Sequence, residues 1–173
     1  RVLPSQHRLP FLWLEWSGAR VSTVDTVRVS DYDERLRRVR LRSSASKTGR
    51  ALWVDLPPPL AEAIEATLPP KIAVAGAERD PEAPLFPDTN EAALRRAITR
   101  ACVATGTPTF SPHDLRHRRV SVLHAQGRTW AEISAFVGHA SKAVTADTYT
   151  HVIADPTEVD LAALLDAGSG RLG

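Results

Sequence analysis

Between residues 90 and 138 the chain is punctuated as three successive helices, and this limits the fold more than any other feature. Asn90 is a side-chain cap for "EAALRRAITRACVAT", and Gly106 stops that run. Ser111 followed by Pro112 places a cap residue before a proline at the first helical position. That helix is predicted to run to about Gln126, with Gly127 as its stop. Thr129 and Glu132 form a capping box for "WAEISAFV", closed by Gly138. A chain that spends its middle this way has a mainly helical core.

The flanks add more helix and one small sheet. "LPFLWLEWSG" (9–18) is apolar and ends in glycine, which predicts a buried helix with Gly18 at its C-terminal cap. Ser22 with Asp25 predicts a short capped helix after it. "RRVRLRS" (37–43) alternates basic and apolar residues, and "ALWVDL" (51–56) is a second extended run. The intervening "SASKTGR" makes the pair a β-hairpin with Lys47 at or near its turn. Pro57–Pro59 open a helix, "LAEAIEATL", that ends at Pro69–Pro70. Residues 69–88 hold five prolines and little periodicity, so they read as a loop rather than a domain boundary. Ser141 is expected to cap a helix through Tyr149, and a last short helix is expected over about 157–166. The expected class is α+β, mainly α-helical, with a small antiparallel β-sheet packed on a helical bundle, all in one domain spanning 1–173.

Composition narrows the function classes. The apolar runs are too short to span a bilayer, and the first residues carry no long apolar stretch of a signal peptide. The single cysteine, Cys102, allows no internal disulfide and fits a reducing, cytoplasmic setting. The chain holds no methionine and begins at arginine, as a piece of a longer protein would. Net charge is only +2, yet residues 1–50 and 95–128 each carry +6, while 51–94 carry −6 and 129–173 carry −4. Two basic blocks could fold onto one positive face and attract a polyanion. The alternative is that the basic runs pair with the acidic ones.

"SPHDLRHRRV" (111–120) gives the charge a chemistry. His113, Arg116 and His117 share one helix face by their spacing of three and four. They lie in the first turns, where backbone N–H groups and the helix dipole favour an anion. An arginine fork beside a histidine there would cradle a phosphate; a solvated basic face with a structural histidine is the plainer alternative. A second cluster, "GHASKAVTADTYTHV" (138–152), places His139 after a glycine and Tyr149 ten residues on. A tyrosine, with its pKa near 10, becomes a nucleophile only beside groups that take its proton and stabilise the developing charge.

"HDLRH" followed by "GHAS…TADTYTHV" resembles the catalytic signature of the tyrosine recombinase (phage integrase) family. "SGARVSTVDTVRVSDYD" resembles that family's first-arginine segment, and "SKTGRALWVDLP" its β-hairpin lysine segment. The likeness covers about residues 15–155 in the right order. It implies six catalytic positions: Arg20, Lys47, His113, Arg116, His139 and Tyr149. One position departs: the family often has an acidic residue three after its first arginine, where this chain has Thr23, with Asp25 nearby. The resemblance implies that Tyr149 attacks a DNA phosphodiester to give a 3′-phosphotyrosine. Arg20, Arg116 and His139 would hold the non-bridging oxygens, Lys47 would protonate the leaving 5′-oxygen, and His113 would take or share the tyrosine proton. It implies no cofactor, ATP or metal. Its partners would be double-stranded DNA at a specific site and a homo-tetramer on that DNA, with accessory DNA-bending proteins as further candidates. It also implies an N-terminal DNA-binding domain outside this chain, and a tail (155–173) whose helix docks on a neighbouring protomer.

Three rival readings stand beside this one. A zinc site could draw on His113, His117, His124 and His139, but no HExxH pattern is present and Cys102 is the lone thiol. A non-catalytic DNA-binding module would read 128–149 as helix-turn-helix, with Gly138 in the turn. A type IB topoisomerase-like activity would use a similar tyrosine and arginine set. His117 is expected to buttress the site, and Arg118 and Arg119 to be solvated or to touch DNA backbone.

Overall fold

The computed structural model describes residues 2–42, 51–70, 79–138 and 159–169. Helix α1 spans Ser5–Ser17 and ends on Gly18 in the left-handed conformation, φ 60°, with the Gly18 N–H donating to Leu14 O. It begins four residues earlier than the apolar run suggests and carries Pro10 inside it. One turn follows as α2, Thr23–Thr26, then a 3₁₀ turn over Val29–Asp31. Strands β1 (Tyr32–Asp33), β2 (Arg38–Leu41) and β3 (Leu52–Asp55) form one antiparallel sheet in that order. Helices α3 (Pro58–Thr67), α4 (Glu91–Thr105), α5 (Pro112–Ala125) and α6 (Trp130–Val137) follow, and α7 (Leu161–Ser169) closes the described chain.

The expected caps at 90–138 form. The Asn90 side chain accepts from Ala93 N at 2.8 Å, and Gly106 and Gly138 adopt positive φ at the helix ends. Thr129 and Glu132 close their box reciprocally, at 2.8 Å to the Thr129 N–H and 3.3 Å from the Glu132 N–H. The Ser22–Asp25 box does not form. Backbone turns from Arg20 O, Val21 O and Ser22 O already satisfy the first N–H groups of α2. Asp25 instead accepts the Glu91 N–H at 2.7 Å and so caps α4 from across the fold.

The two extended runs pair as expected, with Arg38 opposite Asp55, Val39 opposite Val54, Arg40 opposite Trp53 and Leu41 opposite Leu52, and the turn between them lies outside the described residues. Strand β1 adds a third member unanticipated from its two residues. Its turn into β2 is held by the Asp33 carboxylate, which accepts the Leu36 N–H at 3.0 Å, and Arg37 takes a positive φ of 49°.

The main core gathers Trp13 and Leu14 of α1, Leu60 and Ile64 of α3, and Leu94 and Ile98 of α4, all essentially inaccessible to solvent. The proline-rich loop feeds Leu85 and Phe86 into the same core, with the Phe86 ring centroid 5.3 Å from that of Trp13. A second cluster of Val120, Leu123, Ile133 and Val137 joins α5 to α6. Helix α7 starts later than expected because Asp160 caps it, accepting the Ala163 N–H at 3.0 Å. In this single chain α7 lies on α1 and α3, and its buried Leu161 belongs to the main core.

Removing buried volume should therefore separate cleanly from trimming the surface. Ile98→Ala is expected to cost about 2–5 kcal/mol, whereas Val103→Ala, one of the most exposed apolar positions at 74%, should change stability by less than about 0.5 kcal/mol. Urea unfolding of the two variants against the parent chain measures this directly.

Candidate functional site

Arg116 organises this part of the fold. It projects from the first turns of α5 and is buried, with 2% of its surface exposed. Nη1 donates to Gly18 O at 2.5 Å and Nη2 to Val137 O at 2.6 Å. Both acceptors lie at helix C-termini, where carbonyls lack intrahelical partners and the dipole is negative. A buried guanidinium would be costly without such partners. The fork pins the end of α1, two residues before Arg20, to the end of α6, two residues before His139. Gly18 makes the close approach possible: a Cβ there would sit 3.3 Å from Val137 Cγ1, on a backbone of positive φ.

Arg20 is exposed on the turn that follows. It and Arg116 line one small cleft of about 30 Å³, with Thr23, Arg42, Leu52 and Gly138. The two arginines expected from sequence to act together thus converge. Thr23, at the departing position, is buried in this wall, while Asp25 is turned away to the α4 N-terminus. The hairpin is brought to the cleft from two sides. Trp16 Nε1 of α1 donates to Asp55 O of β3 at 2.9 Å, and Leu52 approaches Gly138.

His113 is exposed in the first turn of α5 and is not among the described residues lining the cleft. Its ring meets that of His117 edge to face, with centroids 4.4 Å apart. Burial, the neighbouring His113 and Arg116 lower the His117 pKa, against an opposing pull from Asp114. Burial alone would raise the Asp114 pKa, but bonds from the Ser111 N–H at 2.7 Å and hydroxyl at 2.8 Å outweigh it and keep the carboxyl below its usual range. Lys47, His139 and Tyr149 lie outside the described residues.

Two expectations on this helix are corrected. Arg118 is not a solvated residue: it bonds the carboxylate of Glu15, which is buried on α1 and requires a cation. Arg119 is buried, its guanidinium 4.1 Å over the Trp16 ring and 5.6 Å from that of Phe136. The reason is spacing: Leu115, Arg119 and Val122 fall on the buried face of α5. The basic run along and just after β2 is likewise paired, Arg38 with Asp33, and Arg40 and Arg42 with Asp31. Arg37 reaches Glu62 and Glu65. Pairing with acidic residues therefore absorbs much of the charge that the sequence suggested for a bare positive face. Arg96 and Arg100 on α4 stay exposed without an ion pair among the described residues.

The zinc set is not assembled among the described residues. His124 stacks on Trp130, centroids 4.4 Å apart, and stands about 10 Å along the helix axis from His117. Sequence reasoning missed Arg42 and the two carbonyls that hold Arg116.

His117 and His7 supply a pH test. Burial, and for His7 also Arg100, depresses both pKa values below the ordinary 6.5. A depressed histidine binds its proton less readily folded than unfolded, so stability is complete above about pH 6.5 and falls as the pH drops below it. Thermal melts between pH 7.5 and 5 should show this fall, and His117→Gln should make it shallower.

The Phage integrase family model matches residues 2–155. A protein described as "Putative prophage phiRv2 integrase" in Mycobacterium tuberculosis, in two strains, is 28% identical over 95% of this chain. The chain spans 47% of that relative's length. Among solved structures, the XerA recombinase superposes with a TM-score of 0.63 at 21% identity, covering 95% of this chain and 57% of that one. XerH bound to a palindromic difH substrate, in a post-cleavage complex, gives 0.61 at 18% identity, covering 85% and 42%. The Tn1549 transposon integrase with transposon right end DNA gives 0.59 at 17%, covering 86% and 55%. No helix among the described residues is long and apolar enough to cross a membrane. A mainly helical chain with a three-stranded antiparallel sheet, matched by the family model over most of its length, belongs to the phage integrase (tyrosine recombinase) family.

Proposed function

We propose that this chain carries the strand-cleaving and rejoining centre of a site-specific DNA recombinase. The observation that carries the reading is the convergence of Arg20 and Arg116, far apart in sequence, on one cleft. The XerH and Tn1549 structures that share the fold hold DNA substrates, and the mycobacterial relatives are described as integrases. Because the chain spans about half their length, the reading concerns the catalytic part of a longer protein. In that longer protein an N-terminal domain would clamp the DNA from the other side.

In the proposed step the Tyr149 oxygen attacks the phosphorus of a DNA phosphodiester. A P–O bond to tyrosine forms and the P–O5′ bond breaks. The phenolic proton passes to His113, and Lys47 gives a proton to the departing 5′-oxygen, which leaves as a hydroxyl. Charge accumulates on the non-bridging oxygens at the five-coordinate stage. Arg20, Arg116 and His139 stabilise it with donors that carry positive charge or strong N–H dipoles. The phosphotyrosine keeps the bond energy of the diester, so attack by another 5′-hydroxyl rejoins a strand without ATP. Strand exchange between two sites needs four such centres, hence a tetramer on DNA, with accessory bending proteins where the sites require them. Docking of α7 on a neighbouring protomer belongs to this reading and would require it to leave its seat on α1 and α3.

Covalent trapping tests the proposal. The protein is mixed with supercoiled plasmid in EDTA, denatured in SDS and examined for DNA-linked protein. An adduct that disappears in Tyr149→Phe is the expected result. Arg20→Ala, which alters an exposed side chain, should slow adduct formation by on the order of 10²–10³. An adduct that persists in Tyr149→Phe would overturn the assignment of the nucleophile. Absence of an adduct even from the longer protein on its own attachment site would favour the binding-only reading.

A further inference from the structure

The sequence placed no role on Asp31 or Arg42, yet Asp31 is fully buried, with 0% of its surface exposed. Its carboxylate accepts from Arg40 Nε at 3.0 Å, from Arg42 Nε at 3.0 and 2.8 Å, and from the Arg28 backbone N–H at 3.0 Å. One carboxylate thus serves two guanidinium groups, and the exposed Glu82 answers Arg42 from 3.8 Å. A buried carboxylate with this many charge-assisted bonds fixes its partners in space. Arg40 and Arg42 are both about 40% exposed at the side chain, so solvent reaches both.

The two arginines differ in where they stand. Arg42 lines the cleft that holds Arg20 and Arg116, and Arg40 does not. Arg42 spends Nε on Asp31, and its Nη2 donates to Ser30 Oγ at 3.3 Å and lies 3.8 Å from the exposed Glu82 carboxylate. Among the described residues its Nη1 makes no hydrogen bond. The geometry points to Arg42 as a third arginine of the cleft, one that contacts a DNA phosphate, with Asp31 as the positioning residue that aims it. This rests on the reading of DNA as the substrate. A guanidinium held through Nε by a buried acid presents its Nη edge without first losing rotamer freedom, which is the arrangement a bidentate phosphate contact requires.

Salt dependence separates a phosphate contact from a structural ion pair. Binding of a fluorescent 30-base-pair duplex is followed by anisotropy from 50 to 300 mM salt. For Arg42→Gln the slope of log K against log salt should be shallower by about 0.9, with affinity lower by on the order of tenfold at 0.1 M. Arg40→Gln removes the same charge from the same carboxylate, but its slope should match the parent's. Asp31→Asn supplies a test of sign. Deleting a negative charge from a DNA-binding surface ordinarily tightens binding, whereas loss of aim at Arg42 should weaken it, with thermal melts reporting the folded fraction. Equal slopes for Arg42→Gln and the parent would overturn the contact. So would identical changes in Arg40→Gln and Arg42→Gln, and tighter binding by folded Asp31→Asn would overturn the positioning role. A parent chain with no salt-dependent binding would instead overturn the DNA reading itself, and with it this inference.

Discussion

The Arg116 fork joins structure to site in one contact. A guanidinium with 2% of its surface exposed needs acceptors, and it donates to backbone carbonyls at the ends of α1 and α6. Those carbonyls need donors as much as the guanidinium needs acceptors, because helix C-termini leave them without intrahelical partners. The contact therefore satisfies three buried groups at once. It also dictates where the chain goes next. Arg20 emerges two residues beyond one acceptor, and residue 139 begins two residues beyond the other. The left-handed Gly18 completes the junction, since a side chain there would press on Val137.

Charge in this molecule is organised as pairs before it is presented as a field. Glu15 is buried on α1 and is met by Arg118, while Asp31 is buried at the end of the 3₁₀ turn and is met by two arginines. Each acid removes a basic residue from the count available to a polyanion. Where one buried carboxylate answers two guanidinium groups, both are held in place beside it. The aromatic stack around Arg119 works differently. Trp16 and Phe136 hold that guanidinium by their ring faces, and the arginine becomes part of the junction between α1, α5 and α6.

Local signals were legible and cross-chain signals were not. Asn90, Gly106, Thr129 with Glu132, and Gly138 act on their own neighbours, so their capping roles could be read from spacing. The hairpin followed from alternation broken by a turn. Asp25 could not be read, because its partner, the Glu91 N–H, is far along the chain. Arg119 was misread because a basic residue on a helix is ordinarily solvated, and only the packing of α1 and α6 reveals the aromatic sandwich. Strand β1 is two residues long, too short for periodicity to register. In the site, the order of Arg20 and the HDLRH segment was visible in sequence. Their convergence depends on the Gly18 and Val137 carbonyls, which carry no sequence signature at all. Lys47, His139 and Tyr149 fall outside the described residues, so their placement stays with the proposal.

A consequence of the Arg116 arrangement concerns how the chemistry can be dissected. Lysine at this position would keep the charge but offers a single ammonium on a flexible stem, which cannot bridge two carbonyls in the fixed geometry of a planar fork. Alanine would leave both carbonyls buried without a donor, a cost of about 1–3 kcal/mol each. Either change at position 116 would shift the ends of α1 and α6, and with them Arg20 and the approach to residue 139. Loss of activity there mixes a lost phosphate contact with a displaced site. Arg20 stands at the exposed end of the same arrangement, outside the carbonyl clamp, so a change in its side chain reports on the cleft with the frame intact. The buried arginine makes the geometry, and the exposed one is where that geometry can be probed.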